Sequence, residues 1–282
     1  MRRLLLVLLV LAAASSPLHA QQNQQWRTHK EVGDVAFLAA NSLLGGLSAG
    51  AIRELRGGSF RDGFAAGALG GAISYGGRRI ATQEFTGAGF VGRQVAAVGG
   101  SLVRNSAALQ PALSHIVFPL GPVLLDVRPR GGNTLNVRLD VATTGWLIAA
   151  LAEERLDFLP RESLSAGAPV FRSPLHHLGG DRIAAGRAYR GLIVLGRDAA
   201  PREASVLAHE RAHVLQIDFM RDMWTTAIEY ETLRRMPGGP RVLRHAELNV
   251  TGALIQMLLV RSFGWSWEER PWEIEAEFLQ NR

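Results

Sequence analysis

Leu207-Ala208-His209-Glu210-Arg211-Ala212-His213-Val214-Leu215-Gln216 is the stretch on which the reading of this chain turns. Its two histidines are four residues apart, so on a helix they project from one face about one turn apart and both imidazoles can reach a single metal ion. Glu210, beside the first histidine, is placed to act on a water at that ion. Zinc suits imidazole ligands, and with one coordination position open it brings the pKa of a bound water towards neutrality. A carboxylate next to that water can accept its proton and later deliver it to a leaving amine. Pro201 suits a first helical turn, so the motif helix is expected from Glu203 to about Asp218. The competing reading is an ordinary helix with two polar-face histidines and a salt-bridged glutamate.

A catalytic site of this kind needs a third protein ligand. Candidates lie in Glu268-Glu269-Arg270-Pro271-Trp272-Glu273-Ile274-Glu275-Ala276-Glu277, where Pro271 opens a helix and Glu273 and Glu277 share a face while Glu275 points elsewhere. The residues alone leave Glu273, Glu275 and Glu277 open. The HExxHxxQ string at 209–216, followed by Pro271-Trp272-Glu273 and Ala276, resembles zincin-like bacterial proteins of the gluzincin type over residues 190–282. That resemblance implies Zn2+ as cofactor, His209, His213 and Glu273 as metal ligands, Glu210 as the catalytic residue, and metallopeptidase activity. The glycine-rich N-terminal half also resembles exported bacterial proteins that pair such a region with an HExxH helix.

Outward from the motif, Gly191-Leu192-Ile193-Val194-Leu195-Gly196 is a short apolar run that reads as a buried or edge strand. Leu135, Val137, Leu139 and Val141 alternate with Asn136, Arg138 and Asp140, the pattern of a half-buried strand, and Arg130-Gly131-Gly132-Asn133 before it is turn chemistry for a hairpin. Pro122 to Val127 and Gly145 to Leu151 supply two further apolar runs, so a small antiparallel sheet is expected. Beyond the motif, helices are expected at 220–235, 241–262 and 271–281, broken by Pro237-Gly238-Gly239-Pro240 and Gly264.

From Gly33 to Leu109 small residues dominate, with Gly46 and Gly50, Gly63 and Gly67, and Gly67 and Gly71 each four apart. That spacing lines one helix face with glycines and lets another backbone approach closely. Arg53, Glu54, Arg56, Arg61, Asp62, Arg78 and Arg79 interrupt the apolar runs, which favours tightly packed helices over a membrane-inserting zipper. Membrane-surface association through 33–109 remains an expected partner mode.

The chain opens with Arg2 and Arg3, an apolar run from Leu4 to Ala14, and Leu18-His19-Ala20 as a cleavage site, the pattern of a secretory signal. With no cysteine in 282 residues, the expected periplasmic, envelope or secreted product lacks disulfides and a lipoprotein attachment site. The formal charge of +6 is carried by scattered arginines, Lys30 being the only lysine, which argues against nucleic acid as a partner.

The expected architecture is α+β: a signal peptide (1–20), a glycine-rich helical hairpin (21–110), a β-rich region with the small antiparallel sheet (111–200) and a helical, zincin-like metal-binding part (201–282). The expected activity is zinc-dependent hydrolysis of a peptide or protein substrate, with the 191–196 strand aligning the extended chain by main-chain pairing. The alternative is an envelope-associated structural or membrane-interacting protein whose metal site is structural or vestigial. His176 and His177 read as loop residues ahead of a second metal site, His245 as a surface or packing residue, and Tyr230 as packed on a helix ahead of an oxyanion donor. Trp265, Trp267 and Trp272 read as core walls, and Gln216 as either an orienting partner or polar surface. The sequence names no oligomeric state.

Overall fold

The structure, a computed structural model, describes residues 30–129, 135–152, 155–174, 185–224, 233, 235–239, 242, 245–248 and 270–281. The signal segment, the turn at 130–133, His176, His177, Tyr230, Trp265, Trp267 and most of the helical segments expected at 220–235 and 241–262 lie outside the described residues.

Three glycine-rich helices come first: α1 (Lys30–Leu55), α2 (Phe60–Ala81) and α3 (Ala88–Ala107), each packing on the others. The expected hairpin is therefore a three-helix unit. Ser59 starts α2 by accepting the Asp62 backbone N–H on its hydroxyl. A β-carbon on Gly67 would lie 2.3 Å from the Gly45 carbonyl oxygen, and one on Gly77 would lie 2.5 Å from that of Gly92. Backbone touches backbone at both crossings, so any larger residue must push the helices apart. By length and composition Gly33–Leu55 could cross a membrane, and 44% of its apolar window is buried inside the protein.

Two four-stranded mixed sheets follow, where one antiparallel sheet was expected, and the class is α+β. The first contains β1 (Ile116–Leu120), β2 (Val123–Val127) and β3 (Leu135–Asp140), all antiparallel, with β8 (Ala246–Glu247) parallel to β3. The second runs in the order β4 (Asp157–Phe158), β5 (Val170–Arg172), β7 (Leu192–Leu195), β6 (Gly186–Tyr189), with β5 and β7 parallel and the other pairs antiparallel. Helix α4 (Val141–Ala152) follows β3, and the short α5 (Pro160–Ala166) joins β4 to β5. The Gly145–Leu151 run is thus helical and not a strand. Asp140 caps it by accepting the Thr143 N–H at 2.9 Å, and Ala142, Leu147, Ala149, Ala150 and Leu151 are good helix formers.

The alternation in β3 is real, but its apolar side faces outward. Leu135, Val137 and Leu139 are 56%, 52% and 47% exposed, whereas Asp140 is buried. Pairing puts Leu120, Val123 and Leu139 in one cross-strand row, Phe118, Leu125 and Val137 in a second, and Ile116, Val127 and Leu135 in a third. All nine are apolar, and the opposite face turns Asp126, Asn136, Arg138 and Asp140 inward beside the buried Val117 and Leu124.

The polar residues of the inward face close a buried ionic network. The motif helix α6 (Glu203–Trp224) presents Asp218, Arg221 and Asp222. Asp218 accepts from Arg93 at 2.8 Å and from Arg221 at 3.2 Å, and Asp222 accepts from Arg221 and Arg104. Glu247 lies 3.4 Å from Arg138 and 3.5 Å from both Arg104 and Arg221, and Asp140 lies 4.0 Å from Arg221. Among the described residues four arginines meet four carboxylates, and their charges cancel. Gly100 leaves room for it, since a β-carbon there would fall 2.0 Å from the Asp222 carboxylate.

Burial would raise the Glu247 carboxyl, but Arg104, Arg138 and Arg221 outweigh it and hold the group below its ordinary value of 4.5. A depressed folded-state value means the stabilisation is present above about 4.5 and is lost as pH falls through the folded-state value. We therefore expect the urea midpoint to drop on acidification below that point. Glu247→Gln, which removes the carboxylate that Arg104, Arg138 and Arg221 share, should cost about 3 to 5 kcal/mol near neutrality and flatten the acid dependence; an unchanged midpoint would contradict the network's role.

Candidate metal centre

The donors at the centre come from two helices. Helix α6 carries His209 and His213 on one face, and α7 (Pro271–Gln280), with Pro271 at its first position, carries Glu273 in its first turn. Ala212 of α6 and Ala276 of α7 are fully buried together with Leu279, Phe37 and Tyr75. These small side chains let the helices close on each other and set Glu273 opposite the histidines.

His213 Nε2 lies 3.0 Å from His209 Nε2 and 3.1 Å from Glu273 Oε2, and His209 Nε2 lies 3.5 Å from that oxygen. A tetrahedral site with bonds near 2.0 to 2.1 Å has ligand-to-ligand edges of roughly 3.3 Å. The three donors thus stand at the separations a small divalent ion requires. They are also the group among the described residues whose donor atoms converge on one point. Glu277 shares α7 but is exposed, and His245 is exposed and outside the cluster.

Burial alone would lower the His213 pKa and raise that of Glu273. The contact between them prevails: Glu273 lifts the imidazole to about 9, and hydrogen bonds from His209 and His213 hold the carboxyl at about 2. Glu273 is therefore ionised, the form that ligates a cation. Glu210 is different. It is buried, and burial raises its carboxyl above the ordinary value against the pull of the two histidines. The Ala188 N–H of β6 donates to it, while Oε2 is buried with no hydrogen-bond partner. Gly186 admits this packing, since a β-carbon there would fall 3.0 Å from Glu210 Oε1.

Gln216 orients His213. Its Nε2 donates to the Trp272 carbonyl and to Glu275 Oε2, both at 3.0 Å, which leaves its oxygen 2.8 Å from His213 Nδ1. Nδ1 then donates its proton to Gln216, and Nε2, which shares its proton with Glu273, is the atom that would meet a metal ion on losing that proton. Glu275, assigned by helical spacing to a face away from the ligand, is buried and fixed from its other side. Its Oε1 accepts from Arg78 at 2.9 Å and from Asn41 at 3.2 Å, and Arg78 also donates to the Asn41 side-chain Oδ1. Asn41 belongs to α1 and Arg78 to α2, so the glycine-rich helices reach the candidate centre through Glu275 and Gln216. Sequence reasoning missed Asn41 and Arg78, and named Glu275 only as a candidate ligand. The signal was an arginine within an apolar, glycine-lined helix, which must find a carboxylate if buried.

The 191–196 strand does not have the place given to it. β7 is flanked by β5 and β6 and has no free edge for a substrate. The strand at the end of that sheet, beside Glu210, is β6.

Comparison of the chain with protein-family models, with curated proteins and with solved structures gives no match.

For a zinc ion offered to this candidate centre, Gln216→Ala should weaken binding by roughly 10- to 100-fold with the helical content unchanged, read by competition against a chromogenic chelator. Unaltered affinity would remove Gln216 and the Glu275 relay from any role in orienting His213.

Proposed function

We propose that the chain is an exported zinc-dependent hydrolase of peptide bonds. The observation that carries this reading is the convergence of the His209, His213 and Glu273 donors at 3.0 to 3.5 Å, beside a buried Glu210 whose Oε2 has no partner. His209, His213 and Glu273 would hold the ion, which when bound supplies a Lewis acid and acidifies water.

Glu210 carries the proton. The Ala188 N–H engages one of its oxygens, and the other is left to take a proton from the attacking water and pass it to the leaving amine. Burial suits it to this exchange by raising its affinity for the proton. An extended substrate adds to β6, the edge of the second sheet next to Glu210, by main-chain pairing. Among the described residues the cluster offers three protein donors, which favours an open site over the closed four-ligand site of an envelope protein with a structural metal. The basic and apolar leading segment supports export to the periplasm, the envelope or the medium.

Elemental analysis of the mature protein is expected to find about one zinc per chain, lost in His213→Ala and in Glu273→Ala. Glu210→Gln should keep the zinc and lose about 100- to 10,000-fold in peptide cleavage. Metal-free wild type would overturn the reading, as would a Glu210→Gln protein of undiminished activity.

A further inference from the structure

We infer that Arg187 selects peptides that carry an acidic side chain beside the scissile bond. The inference rests on the peptidase reading, with the substrate added to β6, and names the class of peptide that the site takes.

Contacts assign the two faces of β6. Gly186 faces α6, since a β-carbon there would lie 2.7 Å from Val206 and 2.9 Å from the Glu210 side chain. Side chains alternate along a strand, so Ala188 shares the Glu210 side while Arg187 and Tyr189 occupy the other. Tyr189 accordingly packs with Ala150, Phe171, Leu192 and Val194, a cluster to which α6 contributes nothing.

On that second face a cation rests on an aromatic platform. The Arg187 guanidinium lies over the Tyr189 ring, 5.6 Å from its centroid, and Trp146 of α4 meets the same ring at 5.1 Å. Trp146 is 46% exposed and Arg187 is partly exposed, so the platform borders solvent. Arg93, Arg104 and Arg221 each end on a carboxylate, whereas Arg187 meets the Tyr189 ring and, among the described residues, no carboxylate. A guanidinium resting on an aromatic ring keeps N–H donors for a carboxylate, which it can engage with two parallel hydrogen bonds.

Strand register brings this cation to the substrate. Residues paired across two strands share a face. In a peptide added to β6, the residue opposite Ala188 points to the side of Glu210, whose carboxylate accepts the Ala188 N–H, and its neighbour opposite Arg187 points to the guanidinium. The side chain that meets Arg187 therefore flanks the bond that Glu210 acts on. Asp or Glu at that position gains an ion pair, and Lys or Arg is repelled.

The test uses the mature full-length chain supplied with zinc, and matched peptides in which a single Glu, Gln or Lys is moved through the central positions of one sequence. Binding is read by fluorescence anisotropy and cleavage by chromatography. At one position the wild type should favour Glu over Gln by roughly five- to tenfold in affinity and in kcat/KM, with Lys the poorest. Arg187→Gln should bring the Glu-to-Gln ratio to about one. Arg187→Glu should reverse the order in favour of Lys, a gain that loss of folding cannot produce. Equal use of Glu and Gln by the wild type at every position would overturn the inference and leave the peptidase reading standing, as would a preference that Arg187→Glu does not reverse. Charge-selective binding without cleavage would instead overturn the peptidase reading and keep Arg187 as an acidic-peptide site, and absence of both binding and cleavage would overturn the two together.

Discussion

Glu275 accepts hydrogen bonds from Arg78 and Asn41 on one carboxylate oxygen and from Gln216 on the other, and so ties four helices to one buried anion. The geometry of the candidate centre depends on it. Gln216 can present its oxygen to His213 only because its amide nitrogen is held by Glu275 and by the Trp272 carbonyl. Arg78 can be buried only because a carboxylate neutralises it. Asn41 comes within reach because α1 and α2 are in backbone contact, a β-carbon on Gly71 being 2.0 Å from the Asn41 carbonyl oxygen. Small residues far from the histidines in sequence thus position a histidine ring.

A second consequence of using arginine in a glycine- and alanine-rich interior is the neutral network around Arg221. Buried charges are costly unless paired and hydrogen-bonded, and here the pairing draws on α3, α6, β3 and β8 at once. It also explains the inverted sheet. Arg138 and Asp140 must turn inward to reach Glu247 and Arg221, and a strand whose polar residues point in necessarily points its alternate residues out. The apolar face of β3 is the geometric counterpart of the ionic core behind it.

Several parts of this arrangement were legible in the sequence. The i, i+4 histidines and the Pro-initiated α7 place their side chains by local helical geometry, and the glycine spacing announces close helix packing for the same reason. The third helix of the N-terminal unit, the helical state of 145–151 and the second sheet were not legible. A short apolar run such as Gly145–Leu151 carries no periodicity that separates strand from helix, and the Asp140 cap that decides it belongs to the preceding strand. Helical spacing set Glu275 apart from Glu273 correctly, yet could not say that the other face of α7 is also buried.

By itself, then, the sequence determined what local periodicity can encode: which residues share a helix face, where α6 and α7 begin, and that His209, His213 and an acidic residue of α7 are donors of matching chemistry. The tertiary structure alone decided which of three glutamates stands 3.1 Å from His213, which carboxylates neutralise the buried arginines, and which face of β3 is wet. Those outcomes depend on pairings between residues up to 234 positions apart, such as Asn41 with Glu275. Alternation specifies that a strand has two faces, and only the charges waiting on the far side specify which one turns inward.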